Sequence, residues 1–249
     1  MDFAIQTNQA SGQIINGDYD GAIESLKKTW KNSKRFLSRN CADDDFMDCS
    51  SSLGSFEYEF FSSPSSSSFL KTTVAACSPQ HQQLDVSIFR DPIIVRGDHF
   101  VTRNDVPPLD VQVCEQLYYV ATYNLALSYH LKSVQLSQEL RQESSPSELM
   151  KLRKSYYTCL HVALCLYEQT INSSGPVVRS MALMSNLGQI HRALGDHVNA
   201  DVCMQCLLST RIYANIVYEN VDTLLGNSKD DFLDMIWHLI SKDESAAAA

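Results

Sequence analysis

The chain has 249 residues, enough for one large domain or two small ones, and its 44% hydrophobic and 20% charged residues are typical of a folded protein. Its 29 acidic residues outnumber the 20 Lys and Arg, so the net charge is −9. This balance argues against binding to nucleic acid or to an anionic membrane surface, because both depend on basic groups that neutralise phosphates.

The sequence shows neither a targeting segment nor a membrane-spanning segment. No stretch approaches the roughly 18 consecutive apolar residues that a bilayer span requires, and the N-terminus lacks a basic start followed by an apolar run. The 8 cysteines are scattered, and several lie within apolar helical patterns, which favours reduced core thiols over a disulfide framework. We therefore expect a cytoplasmic or nuclear protein without membrane insertion.

Residues 1–40 have the pattern of two helices joined by a turn. Gly17 and Asp18 interrupt the first helical pattern, and four apolar residues then recur at helical spacing, namely Ala22, Ile23, Leu26 and Trp30. We predict a helical hairpin as the first structural unit.

Residues 41–108 form an insertion without a sustained period. Residues 41–83 are acidic at first and then Ser-rich, which predicts a flexible segment and a candidate phosphorylation region. The stretch LDVSIFRDPIIVRGD is apolar and β-branched, but Pro92 favours a short extended pair or an irregular arm over a central strand. We expect this insertion to be partly disordered or to lie along the helices as an extended arm.

Residues 109–243 have helical periodicity. One helix of about 30 residues is predicted to begin at Leu109, and a second long helix follows it and ends at a Gly-Pro break. Residues 177–194 and 198–218 predict another hairpin, and residues 244–249 a disordered tail. The stretch KDDFLDMIWHLI predicts a closing helix whose apolar face consists of Phe232, Met235, Ile236, Leu239 and Ile240.

Three segments share one spacing: an Asn two positions before a small residue and, in two of them, a Gly nine positions after that Asn and an Ala five positions after that Gly. These positions are held by Asn8, Ala10, Gly17 and Ala22, then by Asn124 and Ala126, and then by Asn186, Gly188, Gly195 and Ala200. The pattern resembles the tetratricopeptide repeat (TPR), a helix–turn–helix unit of about 34 residues. It is also similar to large uncharacterised TPR-like families of algae.

The resemblance implies an all-α fold of stacked antiparallel helical hairpins, a TPR-like α-solenoid. In the second segment the turn Gly is missing and the second-helix signature reappears at Ala163, which implies a unit whose two helices are both extended. The small residues are expected where paired helices cross closely, and the turn glycines where the first helix ends. These structural positions are Ala10, Gly17, Ala22, Ala126, Ala163, Gly188, Gly195 and Ala200.

The resemblance also implies a concave groove lined by the first helix of each unit. The repeat asparagines would offer amide donors and acceptors to a bound peptide backbone, with Ser11 facing the same way one turn beyond Asn8. The expected partner-binding residues are Asn8, Tyr123, Asn124, Leu127, His130, Asn186, Gln189 and Arg192. The alternative is that the asparagines only brace the packing between helices. A clamp for an acidic peptide is disfavoured, since few basic residues line the inferred groove.

No sequence feature points to catalysis, a cofactor or a metal. Cys203 and Cys206 form a C-x-x-C, but they lie in a predicted helix and are expected to pack inward as core thiols rather than to ligate zinc. The seven histidines form no metal-binding array, and no nucleophile or phosphate-loop motif is present. We therefore predict a non-enzymatic adaptor or scaffold that binds a peptide or helix of a partner protein in the concave groove, and a neutral, basic or apolar helical ligand suits this acidic chain best. The alternative is an obligate structural subunit of a larger assembly.

Overall fold

The structure, a computed structural model, describes residues 3–40, 71–74, 90, 92–96, 111–171 and 177–217. These residues form six helices and one pair of short antiparallel strands, so the fold class is mainly helical, as predicted. The elements are α1 (Phe3–Ile15), α2 (Tyr19–Asn40), β1 (Lys71–Val74), β2 (Ile93–Arg96), α3 (Val111–Gln142), α4 (Pro146–Ile171), α5 (Val177–Ala193) and α6 (His197–Val217).

The turn between α1 and α2 is closed by backbone hydrogen bonds at a glycine. Gly17 has a φ of 78°, a conformation that side chains with a Cβ resist, and its N–H donates to the carbonyl of Ile14 at 3.0 Å. The N–H of Asp18 donates to the carbonyl of Gln13 at 2.9 Å, which completes the Schellman pattern of a helix C-terminus. The Asp18 carboxylate then caps α2 by accepting the N–H of Gly21 at 3.0 Å.

The turn between α5 and α6 repeats this geometry bond for bond. Gly195 has a φ of 80° and donates to the carbonyl of Arg192 at 3.0 Å, while Asp196 donates to the carbonyl of His191 at 2.8 Å. The Asp196 carboxylate accepts the N–H of Asn199 at 3.2 Å and so caps α6. Gly17 and Gly195 thus lie just past the C-terminal ends of α1 and α5, each with a positive φ.

The small residues of the aligned segments lie between closely packed helices. Five of them are almost completely buried: Ala10, Ala22, Ala126, Ala163 and Ala200. At Gly188 a methyl group would stand 3.4 Å from the Cβ of Cys203 on α6, an ordinary contact distance, so the site accepts one methyl and little more.

Each helix packs against the next one along the chain, and α3 lies at the centre of the described residues. It contacts α2 on one side and α4 on the other, and it also touches α1 and β2. A continuous apolar core runs from α1 to α6, with Leu26, Leu117, Leu160 and Leu187 among its most buried members. The contact between α4 and α5 is much less extensive than that between α3 and α4.

The strands were only partly anticipated. β2 begins directly after Pro92, within the stretch expected to form an extended pair or arm, and it pairs with β1 in the register Val74 with Ile93 and Lys71 with Arg96. The sequence did not predict β1, because Lys71–Val74 follows a Ser-rich tract and is too short to show a period. The predicted closing helix, the tail and the acidic and Ser-rich tracts lie outside the described residues.

Candidate functional site

The candidate site lies where β2 rests against α1 and α3, the first helices of the first two hairpins. Asn124 projects from the middle of α3 and is completely buried. Ser11 projects from α1 and is also completely buried. The two side chains meet at 3.1 Å, with the Asn124 amide nitrogen donating to the Ser11 hydroxyl oxygen.

The carboxamide of Asn124 bonds both backbone groups of a single residue, Ile93. Its Oδ1 accepts the N–H of Ile93 at 2.8 Å, and its Nδ2 donates to the carbonyl of Ile93 at 2.8 Å. The Ser11 hydroxyl lies 3.3 Å from the same carbonyl and 3.0 Å from the carbonyl of Thr7. Every polar group of this buried cluster therefore has a partner, as a buried amide requires.

The apolar part of the site surrounds the side chain of the bound residue. Ile93 is 2% exposed and belongs to the main core, and Pro92 is buried beside it. Burying a side chain of this size contributes about 2 kcal/mol. We refer to residues 92–96 as the arm. The hydrogen bonds thus fix the backbone of the arm at Ile93, and the Ile93 side chain supplies most of its apolar contact.

His130 lies six residues after Asn124 on α3 and is 2% exposed. Its ring stands edge-on to that of Tyr167 at a centroid distance of 6.2 Å, and among the described residues its Nδ1 has no hydrogen-bond partner. Burial, assisted by the positive charge of Arg90, lowers the pKa of His130 to about 3. The ring is therefore neutral and part of the packing, and it offers no charge to a partner.

Asn186 occupies the position in α5 that Asn124 occupies in α3, but its partners are side chains of other helices. Its Nδ2 donates to the hydroxyl of Tyr167 on α4 at 3.1 Å and to that of Tyr123 on α3 at 3.5 Å. The Tyr123 and Tyr167 rings meet edge-on at 5.6 Å. Asn186 therefore has the bracing role that was the alternative to groove binding.

The remaining predicted partner-binding residues are divided between core and surface. Tyr123 and Leu127 are completely buried and have no surface for a partner in this structure. Asn8, Gln189 and Arg192 are partly exposed. Within the described residues, Asn124 of the predicted set bonds an extended backbone, and Ser11, expected to face the same way as Asn8, bonds the same residue.

The residues that sequence reasoning missed are those on the arm side of the site. Pro92 and Ile93 were recognised as an extended segment, but nothing connected them with Asn124. The resemblance itself offered a signal for this contact. It implied an asparagine that bonds a peptide backbone, and the same chain contains an apolar extended segment that could supply that backbone. No spacing rule links positions 93 and 124, because their proximity arises from tertiary packing.

A second surface feature is a shallow cleft of about 380 Å³ on α2, lined by Trp30, Lys31, Lys34, Arg35 and Ser38. The Lys34 ammonium lies 5.4 Å from the centre of the Trp30 ring, and that ring stacks on Tyr118 of α3 at 6.3 Å. This basic helix in an acidic chain was not singled out from the sequence.

Within the described ranges, no group of three or more His, Cys, Asp or Glu side chains is arranged to hold a metal ion. Cys203 is buried and Cys206 partly buried, both are free thiols, and burial raises the pKa of Cys203 to about 12. No helix in the described part of the chain has the length and apolar content to cross a membrane.

Searches against protein-family models, curated proteins and solved structures returned no match to this chain.

Proposed function

We propose that this protein is a non-enzymatic interaction module, an adaptor or scaffold with a TPR-like arrangement of helices. It binds an extended segment of a partner protein in the groove between α1 and α3. The observation that carries this proposal is the pair of 2.8 Å hydrogen bonds between the Asn124 carboxamide and the backbone of Ile93.

The geometry favours an extended ligand over a helical one. A single carboxamide bonds the N–H and the carbonyl of one residue only where both backbone groups are free, and within a helix they are already bonded to other residues four positions away. The contacts at Ile93 involve backbone atoms and one aliphatic side chain, so recognition depends on extended shape and apolar character rather than on charge.

The TPR-like arrangement draws its support from two observations. The turns at Gly17 and Gly195 have matching φ angles, glycine hydrogen bonds and aspartate caps. The helices pack in chain order, and α1 additionally contacts α3 directly, which is the neighbour relation expected of stacked hairpins.

The experiment that tests this function measures binding of a peptide to the vacated groove. A fluorescein-labelled peptide of residues 88–97 (IFRDPIIVRG) is titrated with the full chain carrying Ile93→Asp, and fluorescence anisotropy gives the Kd. We expect saturable binding that Asn124→Ala, added to this background, weakens at least about tenfold, the equivalent of one lost backbone contact.

Asn186→Ala in the same background is the matched control, because Asn186 is equally buried and its amide donates to the hydroxyls of Tyr167 and Tyr123. It is expected to change the Kd less than about threefold. Absence of saturable binding, or equal weakening by the two substitutions in folded protein, would contradict the proposed function.

The alternative, an obligate structural subunit, draws on apolar side chains at the surface of the described residues. Val198, Val202 and Ile212 on α6 are 75%, 43% and 60% exposed. Light scattering after size exclusion separates the two functions. A monomer favours reversible binding, whereas a defined oligomer or aggregation favours a subunit that buries this surface in its assembly.

A further inference from the structure

We infer that residues 92–96 are an internal ligand of the α1–α3 groove, and that the partner is a protein whose own extended segment, a proline followed by β-branched aliphatic residues, displaces this arm. The inference rests on the proposed function, and it adds both the chemistry of the partner and an autoinhibited resting state. It concerns the described residues of β2 and the two helices that hold them.

The hydrogen bonding of β2 is that of a strand bound along its free edge. β2 pairs with β1 on one side, and the N–H and carbonyl of Ile93 both point to Asn124. Since the two backbone groups of one residue in a strand point to the same side, the carboxamide occupies the place that a neighbouring strand would take. Any extended segment presents the same two groups, so a segment of a partner can replace the arm without a change in the groove.

The two buried residues of the arm indicate what the replacement must contain. Pro92 has no N–H, so its burial leaves no donor without an acceptor, and its fixed φ reduces the conformational freedom lost on binding. Ile93 fills the apolar part of the site and is 2% exposed. A partner segment with Pro followed by Ile or Val satisfies both requirements, whereas a charged residue at the Ile93 position would place its charge in the apolar part of the site.

The groove is built to tolerate departure of the arm. Ser11 and Asn124, which bond the arm, are polar and completely buried, and so is Thr7, one turn before Ser11 on α1. The Thr7 hydroxyl donates to the carbonyl of Phe3 at 2.7 Å and Ser11 to that of Thr7 at 3.0 Å, so both keep a partner within α1 when β2 leaves. Water can then hydrate the Asn124 amide, and opening exposes less bare apolar surface than a wholly aliphatic interface would.

The tether makes the arm an effective competitor even if its own affinity is weak. The arm and the groove belong to one chain, so docking of the arm is intramolecular, and an intramolecular ligand can act at an effective concentration of about 1 mM. An arm segment that binds in trans with a Kd of about 0.1 mM would therefore occupy the groove most of the time and weaken binding of a competing segment about tenfold.

The test compares the full-length wild-type chain, Ile93→Asp and the matched control Ile212→Asp, which places the same substitution at an exposed isoleucine of α6. Each is titrated into the labelled peptide of residues 88–97. We expect Ile93→Asp to bind at least about tenfold more tightly than wild type, and Ile212→Asp to bind as wild type does. Equal affinity of wild type and Ile93→Asp overturns the internal ligand while leaving the proposed function intact. Absence of binding to both overturns the proposed function.

A measurement on the wild-type chain keeps the inference falsifiable if Ile93→Asp does not fold. The ¹⁵N-labelled chain is mixed with excess unlabelled peptide, and the backbone amide signal of Ile93 is followed by NMR. Displacement moves this signal to the position of an unstructured amide, whereas an unchanged signal at a peptide concentration that saturates the anisotropy overturns the inference.

The chemistry of the partner is tested with variants of the same peptide. A peptide with Lys in place of Ile93 is expected to lose binding, and one with Val is expected to retain it. Equal binding of the Lys and Val peptides would overturn the assignment of a β-branched aliphatic residue to this position.

Discussion

The turn glycines act through backbone conformation, whereas other glycines of the same hairpins do not. Gly195 has a φ of 80° and open space around the position of a Cβ, so a side chain there is opposed by strain and not by crowding. We expect Gly195→Ala to lower the free energy of unfolding by about 1–2 kcal/mol.

Gly12 provides the matched control, since it lies within α1 and a Cβ there also meets nothing within 4 Å. Gly12→Ala is expected to raise the free energy of unfolding by about 0.5–1 kcal/mol through helix propensity. Urea denaturation of both variants checks the pair, and a change of the same sign in both would contradict this assignment.

His130 is expected to make the protein sensitive to acid. Its pKa is lowered from 6.5 to about 3 in the folded chain. Between these two pH values the imidazole is therefore protonated in the unfolded chain and neutral in the folded chain. The stabilisation is therefore complete above pH 6.5 and is lost as the pH falls from 6.5 towards 3. Between pH 7.5 and pH 5 this residue alone should lower the free energy of unfolding by about 2 kcal/mol.

His130→Leu should remove this part of the pH dependence, because a leucine side chain has no group that binds a proton. Urea midpoints of wild type and variant at pH 7.5 and pH 5.0 measure it, with His161→Leu at an exposed position of α4 as the control. If His130→Leu and wild type lose equal stability over this interval, the buried neutral histidine is excluded as the cause.

At the scale of elements, helices were predictable and the contacts of the arm were not. Apolar periodicity places α5 and α6 within one or two residues of their observed ends, and the predicted third hairpin around Gly195 is confirmed. Asn124 and Asn186 have the same sequence pattern, yet one bonds the backbone of Ile93 and the other bonds tyrosine hydroxyls. Local spacing fixes where a side chain lies on its helix, whereas its partner depends on which distant segment packs there.

The docked arm should respond to substitution differently from a helix of the core. If β2 undocks independently, the destabilisation caused by any change at Ile93 is limited by the free energy of docking. Ile93→Ala and Ile93→Asp should then lower the free energy of unfolding by amounts that agree within about 1 kcal/mol, although a charge is far more costly than a methyl group in a fixed core.

Leu160 on α4 is 1% exposed and provides the comparison. Leu160→Ala should lower the free energy of unfolding by about 2–5 kcal/mol, and Leu160→Asp by clearly more or to the point of unfolding. Urea denaturation measures all four variants. If Ile93→Asp also lowered the free energy of unfolding by much more than Ile93→Ala does, the arm would be a fixed part of the core.

For the molecule as a whole, the contact between α4 and α5 is the least extensive between consecutive helices of the described residues. Asn186 is one of the groups that span this junction, since its amide donates to Tyr167 on α4 and to Tyr123 on α3. Removing the amide leaves the buried tyrosine hydroxyls without that donor, which should lower the free energy of unfolding by about 1–3 kcal/mol. Because the hairpin of α5 and α6 has its own internal turn and packing, we expect the loss to appear as local opening of that hairpin.

Native-state hydrogen exchange of Asn186→Ala measures this opening directly. The protection of α5 and α6 should fall about 5-fold to 150-fold, as 1–3 kcal/mol requires, while that of α1, α2 and α3 stays near the wild-type value. Asn124→Ala is the reciprocal control, because its amide bonds Ile93 and Ser11 and its loss should expose β2 instead. Uniform loss of protection in both variants would show that the six helices open only as one cooperative unit, and that neither asparagine governs a separate junction.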